Sequence, residues 1–258
     1  MNPRASRTVP FLSKVTGVPM VELATRVMRG ATLAELGWST GLVPPRPLVA
    51  VKAPVFSTVK LIDVDTALGP EMKSTGEVMG IDTDLGAALE KAFVAALGEM
   101  PTKGGALCSI ADVDKAEALP IVAQLTSLGF TIYATAGTAA ALASAGISAV
   151  AVGKIGHGRP NVIDVIEDGR VSIVLNTVSN FNTDELDFRA DGSAAAVGRT
   201  VKDGYRIRLA AEQRRIPCCT SLDTAAALVD AIGRHTSGKS VRVATVREYR
   251  DGVVQAVS

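Results

Sequence analysis

The stretch TIYATAGTAAAL at residues 131–142 decides the fold, because within it the pattern of a buried strand gives way to that of a helix. TIYAT is rich in β-branched and aromatic residues, AGT is a turn, and the alanines that follow favour a helix. The same succession recurs from about Lys103 onward. It predicts strands at 106–110, 131–135, 149–152, 171–177 and 218–220, and helices ending near 128 and 145 and spanning 160–167, 205–213 and 222–232. Such alternation predicts an α/β fold with a doubly wound, mainly parallel sheet.

The first 94 residues have a different and less regular pattern. One helix is predicted where Val21, Leu23, Ala24, Val27 and Met28 recur at helical spacing, and a second short one through Leu33 and Leu36. Strands are predicted at 48–51 and 55–56, a loop at 68–80 and a helix at 84–97. These elements make no obvious complete core of their own, which is the pattern expected of a fragment whose strands belong to a larger sheet. The polar segment 180–200 is expected to be a surface loop or insertion.

Composition excludes several classes of protein. The chain has 258 residues, 47% of them hydrophobic, and a formal net charge of +1, which argues against disorder and against a nucleic-acid partner. The three cysteines, Cys108, Cys218 and Cys219, have no zinc-site spacing and are expected to be buried thiols. No membrane-spanning run and no secretory signal is evident, so we expect a cytoplasmic protein without a membrane partner.

Polar and basic residues follow several of the predicted strands. In a parallel sheet these strand ends share one edge, where helix N-termini attract anions. Asp114 and Glu117 resemble a capping box, and Lys115 lies in the first turn of the helix, where a cation is unfavourable unless an anion binds beside it. The alternative for Lys115 is an ordinary solvated side chain.

Two further strand ends carry similar chemistry. Thr135, Gly137 and Thr138 supply hydroxyl groups, close backbone approach and a helix N-terminus, although threonine is also an ordinary N-cap and glycine an ordinary turn residue. The glycine-rich loop 153–160 adds positive charge from Lys154, Arg159 and possibly His157, and Asn176 and Thr177 end the strand 171–177. Together these residues predict a pocket for the phosphate of a mononucleotide.

Groups for covalent or metal chemistry are few. The two histidines, His157 and His235, do not assemble a nucleophilic triad, and no metal-ligand cluster stands out in the sequence. For Asp112, Asp114 and Asp164 we expect capping or solvated roles. The sequence thus indicates ligand binding without visible catalysis.

The chain closely resembles the C-terminal quarter of the carbamoyl-phosphate synthase large chain. The resemblance covers nearly all of the chain except the loop 180–200. It rests on the collinear motifs NPRASRTVPFLSKVTGVP at 2–19, LGPEMKSTGEVMG at 68–80, TIYATAGTAAAL at 131–142, VGKIGHGRPNVID at 152–164 and VSIVLNT at 171–177. It implies that 1–94 is the end of the second ATP-grasp domain, which phosphorylates carbamate, and that 95–258 is an allosteric domain of methylglyoxal-synthase-like fold.

The resemblance also implies ligands and site residues. The effector would be uridine monophosphate (UMP), an inhibitor, or inosine monophosphate (IMP), an activator in some members. Its phosphate would meet Lys115, Thr135, Thr138 and Lys154, and its ribose and base would lie toward Asn176 and Thr177. Val178 replaces a threonine of the family, which leaves the effector's identity open. For ornithine, another activator, Leu68 and Thr220 match, but a family glutamate corresponds to Ala53, so ornithine control is less expected.

The N-terminal motif resembles part of a nucleotide site. Asn2, Arg4 and Arg7 match the asparagine and arginines of an ATP-grasp site, and Asn2 would contact Mg²⁺ or Mn²⁺ with ATP only in a complete enzyme. The family's preceding glutamate, lysines and lid have no counterpart after Met1, so we do not expect this chain alone to be catalytically complete. The implied partners are the rest of the large chain and the glutaminase small subunit.

Two alternatives stay open. One is an inactive truncated fragment that exposes apolar surface. The other is a free-standing lyase of the methylglyoxal-synthase type, in which an aspartate is the catalytic base. Arg159 occupies the matching place here, and a guanidinium cannot accept a proton at neutral pH.

Overall fold

A computed structural model describes residues 5–39, 41–56, 74–177, 199–239 and 241–254. The chain divides into two compact units. Unit 1 comprises residues 1–55, 76–98 and 238–258, and unit 2 comprises 56–75 and 99–237. The last segment was expected in the second domain but groups with unit 1, because its helix packs there through Tyr249.

Unit 1 contains a two-stranded antiparallel sheet and helices. Its elements are α1 (Thr8–Thr16), α2 (Met20–Met28), β1 (Val49–Val55), β2 (Gly76–Asp82), α3 (Leu85–Leu97) and, near the C-terminus, α9 (Val246–Arg250). Helix α3 packs against both strands. The approach is close because Gly80 of β2 faces Ala88 and Ala92 of α3; a Cβ at Gly80 would lie 1.9 Å from the Ala88 carbonyl oxygen.

The predictions for unit 1 were partly right. Helices α2 and α3 are confirmed, whereas the short helix predicted through Leu33 and Leu36 is wrong, because residues 33–37 form turns. The two predicted strands are one continuous strand, β1, and part of the predicted loop 68–80 is strand β2. Two glycines in β2 weakened its strand signal, since glycine is depleted in strands. Helix α1 was not predicted; Pro10 lies in its first turn, where proline is tolerated.

Unit 2 contains a five-stranded parallel sheet with helices packed against it, which confirms the predicted fold class. The elements in chain order are β3 (Gly105–Ser109), α4 (Lys115–Ser127), β4 (Thr131–Thr135), α5 (Ala136–Ser144), β5 (Val150–Val152), α6 (Val162–Glu167), β6 (Ile173–Asn176), α7 (Arg199–Gln213), β7 (Cys218–Cys219) and α8 (Leu222–Thr236). The strand order is β5-β4-β3-β6-β7.

The core of unit 2 lies on and around this sheet. Ala106, Leu107 and Cys108 of the central strand β3 are fully buried. Helix α4 packs against α5 and α8, and α6 packs against α7. Burial raises the pKa of the Cys108 and Cys219 thiols to about 12, so both are unreactive at neutral pH. Cys218 is only partly buried.

Several helix boundaries in unit 2 differ from the predictions. Asp114 makes no side-chain cap at the start of α4, because residues 112–114 form a 3₁₀ turn, so the predicted capping box is wrong. Helix α6 begins after Asn161, whose side chain and Asp164 form a capping box, rather than at Pro160. Helix α7 begins at Arg199, within the expected loop 180–200; the rest of that loop up to residue 198 lies outside the described residues.

None of the helices in the described parts of the chain is long and apolar enough to cross a membrane.

Candidate functional site

Unit 2 contains a cavity of about 260 Å³ at the carboxyl ends of its strands. After β4 and β5 the chain crosses to the other side of β3, so the strand order reverses between β3 and β6, which is the place where open α/β sheets bind ligands. All six residues predicted for the effector line this cavity: Lys115, Thr135, Thr138, Lys154, Asn176 and Thr177. The sheet brings them together because the strands that precede or contain them are parallel and in register.

Lys115 lies at the wall formed by the start of α5. It is the first residue of α4, and its ammonium pairs with the exposed carboxylate of Asp112. A Cβ at Gly137 would lie 3.1 Å from Nζ of Lys115, so the ammonium is next to the first turn of α5. The hydrogen bond and charge of Lys115, with the charge of Lys154, hold the pKa of Asp112 below its usual range. The positive charges of Lys115 and Lys154 are thus both close enough to the Asp112 carboxylate, which lines the cavity, to stabilise its ionised form.

The two threonines tie the start of α5 to the end of β3. The Thr135 hydroxyl lies 3.3 Å from the Thr138 hydroxyl, and the Thr138 hydroxyl accepts from the Ile110 N–H at 3.2 Å. Both side chains are buried. Thr135 is the N-cap residue of α5 but makes no side-chain bond to its first turn. The helix N-terminus is therefore not capped by this side chain, which suits an anion.

Two polar side chains, Asn176 and Thr177, line the other side of the cavity. The Thr177 hydroxyl accepts from the Ala111 N–H at 2.9 Å. The Asn176 amide oxygen accepts from Nη1 of Arg208 at 2.8 Å, and its Nδ2 donates to the Ser109 carbonyl oxygen at 3.4 Å. Asn176 is 4% exposed and Arg208 is 3% exposed. The amide predicted to contact a ligand is thus held in place by protein groups.

Sequence reasoning missed the contribution of α7. Arg208 and Asp203 line the cavity from this helix, and Gly204 lies one turn before Arg208. A signal was present: Ile207, Arg208 and Ala211 lie at the spacing of one buried helix face. An arginine within such a face is uncommon unless it is paired. Asp112, also lining the cavity, was assigned only a capping or solvated role.

The glycine-rich loop positions Lys154 but not the other basic residues. A Cβ at Gly153 would lie 2.4 Å from the His157 carbonyl oxygen, so the tight loop requires glycine there. Lys154 is exposed at the cavity. His157 and Arg159 do not line the cavity; Arg159 is 87% exposed and lies 3.7 Å from Asp164. Position 159, where the lyase alternative would require a catalytic aspartate, thus carries an exposed arginine, which is not a general base.

The other predicted site residues lie elsewhere. Arg7 precedes α1, Ala53 lies in β1 of unit 1, and Thr220 follows β7 of unit 2. Asn2, Arg4, Leu68 and Val178 lie outside the described residues. Where the structure describes the chain, no group of three or more His, Cys, Asp or Glu side chains is placed to hold a metal ion.

Comparisons with known proteins show what this chain is similar to. Residues 117–220 match the model of the MGS-like domain. The whole chain is similar to the carbamoyl phosphate synthase large chain of Thermomicrobium roseum, with 49% identity over 251 residues, which is 97% of this chain and 22% of that relative. The chain thus spans about a fifth of the relative's length. It contains an MGS-like domain and is a homologue of the carbamoyl phosphate synthase large chain, matching a part of it.

Proposed function

We propose that unit 2 is a nucleotide sensor whose cavity binds the phosphate of UMP or IMP. The observation that carries the proposal is the position of the Lys115 ammonium beside Gly137, at the start of α5. There a cation, which pairs with the exposed Asp112 carboxylate, faces a helix N-terminus, and a bound anion would interact favourably with both the ammonium and the helix N-terminus. Lys154 adds a second positive charge at the same cavity.

The charges that line the cavity support an anionic ligand. Three cations, Lys115, Lys154 and Arg208, line it together with two carboxylates, Asp112 and Asp203. The Thr135 hydroxyl, which now lies against Thr138, would turn its proton toward a bound phosphate. Asn176 and Thr177, on the far side, would face the ribose and base.

We further propose that this sensor regulates ATP-dependent carbamoyl phosphate synthesis for arginine and pyrimidine biosynthesis. The chain would act with the rest of a large chain and with a glutaminase small subunit, in the cytoplasm. Mg²⁺ or Mn²⁺ with ATP would serve the complete enzyme, with Asn2, Arg4 and Arg7 as part of its nucleotide site. Effector control would require a different affinity for each of two states of the enzyme. Ornithine control, through Leu68 and Thr220, is the weaker proposal because Ala53 carries no carboxylate.

Calorimetry of the 258-residue chain with UMP, IMP and inorganic phosphate tests the sensor. Lys115→Ala and Lys154→Ala should each weaken binding, and the double variant should abolish it. Lys103→Ala is the matched control, since Lys103 is exposed and precedes the opposite, amino end of β3. Saturable binding that Lys103→Ala keeps supports the proposal. A folded wild-type chain that binds none of the three ligands would overturn it.

A further inference from the structure

We propose that Arg208 is a positioning residue that fixes the orientation of the Asn176 amide, so that this amide presents an N–H donor to the ligand. The inference rests on the proposed nucleotide site and deepens it. It assigns a role to a buried cation that the sequence did not identify as part of the site. It also specifies the chemistry of the ligand at the Asn176 side: a hydrogen-bond acceptor, such as a ribose or carbonyl oxygen.

Arg208 and Asn176 are hydrogen-bonded to each other in a buried site. Nη1 of Arg208 donates to Oδ1 of Asn176 at 2.8 Å, and both side chains are almost completely buried. Gly204 makes room for this contact: a Cβ there would lie 3.0 Å from Nη1 of Arg208 and 3.5 Å from Oδ1 of Asn176. The guanidinium thus runs along its own helix to reach the end of β6.

The two side chains differ in the hydrogen bonds they can make. An asparagine amide has an acceptor oxygen and a donor nitrogen, and rotation by a half-turn exchanges them. A guanidinium has only donors, so it can form a hydrogen bond with the amide in only one of the two orientations, the one in which the amide oxygen faces it. A flipped amide would set N–H against N–H in a buried site, which is costly. Arg208 therefore selects the orientation in which the oxygen faces α7.

In this orientation the amide nitrogen of Asn176 is directed away from Arg208. Its N–H₂ group has two donors, and one of them is directed at the Ser109 carbonyl oxygen at 3.4 Å. The second is the group that the amide offers to a ligand in the cavity that Asn176 lines. An acceptor on the ligand is matched by this donor, whereas an amino group in the same place is not.

The test replaces Arg208 in the full chain by a side chain that only donates hydrogen bonds or by one that both donates and accepts them. Lysine at 208 donates only, whereas glutamine both donates and accepts and so permits either amide orientation. Arg208→Gln should weaken UMP and IMP binding about tenfold. Arg208→Lys should keep most of the wild-type affinity for both nucleotides. Arg206→Gln, an exposed position on the same helix, is the control and should leave affinity unchanged. The side-chain NH₂ signals of Asn176 in ¹⁵N NMR spectra should move in Arg208→Gln and return toward wild type in Arg208→Lys.

A double-mutant cycle separates positioning from simple charge. If Arg208 acts through Asn176, Arg208→Gln should have no further effect in an Asn176→Ala background. The affinity for inorganic phosphate, which binds at the Lys115 side, should change by less than about twofold in Arg208→Gln, compared with the tenfold loss expected for nucleotides. Additive losses, or equal losses of phosphate and nucleotide affinity, would overturn the positioning role while the sensor stands. A wild-type chain that binds neither nucleotide nor phosphate would overturn both proposals.

Discussion

Lys115 and Gly137 belong to different helices, yet a Cβ at Gly137 would lie 3.1 Å from the Lys115 ammonium nitrogen. This approach is tighter than an ordinary van der Waals contact, so a methyl group at 137 requires the end of the Lys115 side chain to move by a few tenths of an ångström. The backbone of Gly137 is in the first turn of α5 and does not have a positive φ. Glycine at 137 therefore leaves space for the Lys115 ammonium, and the backbone conformation does not require it.

Gly137→Ala should weaken phosphate and nucleotide binding severalfold without loss of stability. Alanine favours a helix over glycine by up to about 1 kcal/mol, so the free energy of unfolding should stay equal or rise slightly. Calorimetry and urea unfolding of the same samples measure the two effects. Unchanged affinity in Gly137→Ala would show that the position of the Lys115 ammonium is unimportant for the anion.

Asp112→Asn should strengthen anion binding. The Asp112 carboxylate pairs with Lys115 and would compete with a ligand phosphate for the same ammonium. The amide keeps the size of the side chain and removes the competing charge, and we expect affinity for inorganic phosphate to rise about threefold to tenfold. Glu117→Gln, in the first turn of the following helix α4, is a control for loss of one acidic charge. Equal gains in both variants would point to net charge alone.

The pH dependence of anion binding should reflect the second ionisation of the ligand phosphate and not the ionisation of Asp112. The hydrogen bond from Lys115 and its charge lower the pKa of Asp112, so this carboxylate stays ionised from about pH 5 to 8. A phosphate monoester gains its second charge near pH 6, so affinity should rise from about pH 5 to 7. Titrations at several pH values should give parallel curves for wild type and Asp112→Asn. A pH response that Asp112→Asn removes would contradict this assignment.

Gly80→Ala should destabilise unit 1 by roughly 3 kcal/mol or more, since the new methyl group meets the backbone of α3. Its Cβ would lie 1.9 Å from the Ala88 carbonyl oxygen and 2.5 Å from the Ala92 nitrogen. Gly76→Ala in the same strand is the matched control, because its Cβ would make only an ordinary contact with Val55 at 3.6 Å. Urea unfolding should separate the two variants clearly. Equal stability of the two would mean that α3 does not pack as closely as the structure shows.

Lys91→Met should destabilise unit 1 by about 3 kcal/mol, because it leaves the Asp82 carboxylate buried without its cation. Nζ of Lys91 donates to Asp82 at 2.7 Å and to the Tyr249 hydroxyl at 2.7 Å. Lys52→Met is the control, since Lys52 forms a more exposed pair with Glu77 at 3.4 Å and should cost less than about 1 kcal/mol.

Because Lys91 pairs with Asp82, we expect the free energy of unfolding to decrease at acidic pH. Burial alone would raise the pKa of Asp82, but the hydrogen bonds from Lys91 and the Thr83 N–H, with the Lys91 charge, leave it below its usual range. Its contribution to the free energy of unfolding is therefore present above the unfolded pKa, about 3.9, and is lost as the pH falls through the lower folded pKa. Unfolding measured from pH 7 downward should show a smaller acid-dependent loss in Lys91→Met than in wild type.

The fold of unit 2 could be predicted because its signals are local. Strand and helix patterns alternate with clear turns, and parallel strands place their carboxyl ends at one edge, so Lys115, Thr135 and Lys154 were found together from sequence. Unit 1 was harder. The glycines of β2 weakened its strand signal, and the pairing of β2 with β1 and its close contact with α3 join segments distant in the chain, which no local pattern contains.

The sequence by itself determined the class of the sheet, the edge at which the cavity lies, and the residues at the strand ends, since these follow from periodicity and from the residues next to each turn. Only the tertiary structure decided which side chains face one another across the cavity. It set Arg208 of α7 against Asn176 of β6, Asp112 against Lys115, and Tyr249 against Lys91. The physical reason is that hydrogen bonds and ion pairs depend on distances of a few ångströms between segments. The position of a residue in the chain does not fix those distances until the helices have packed.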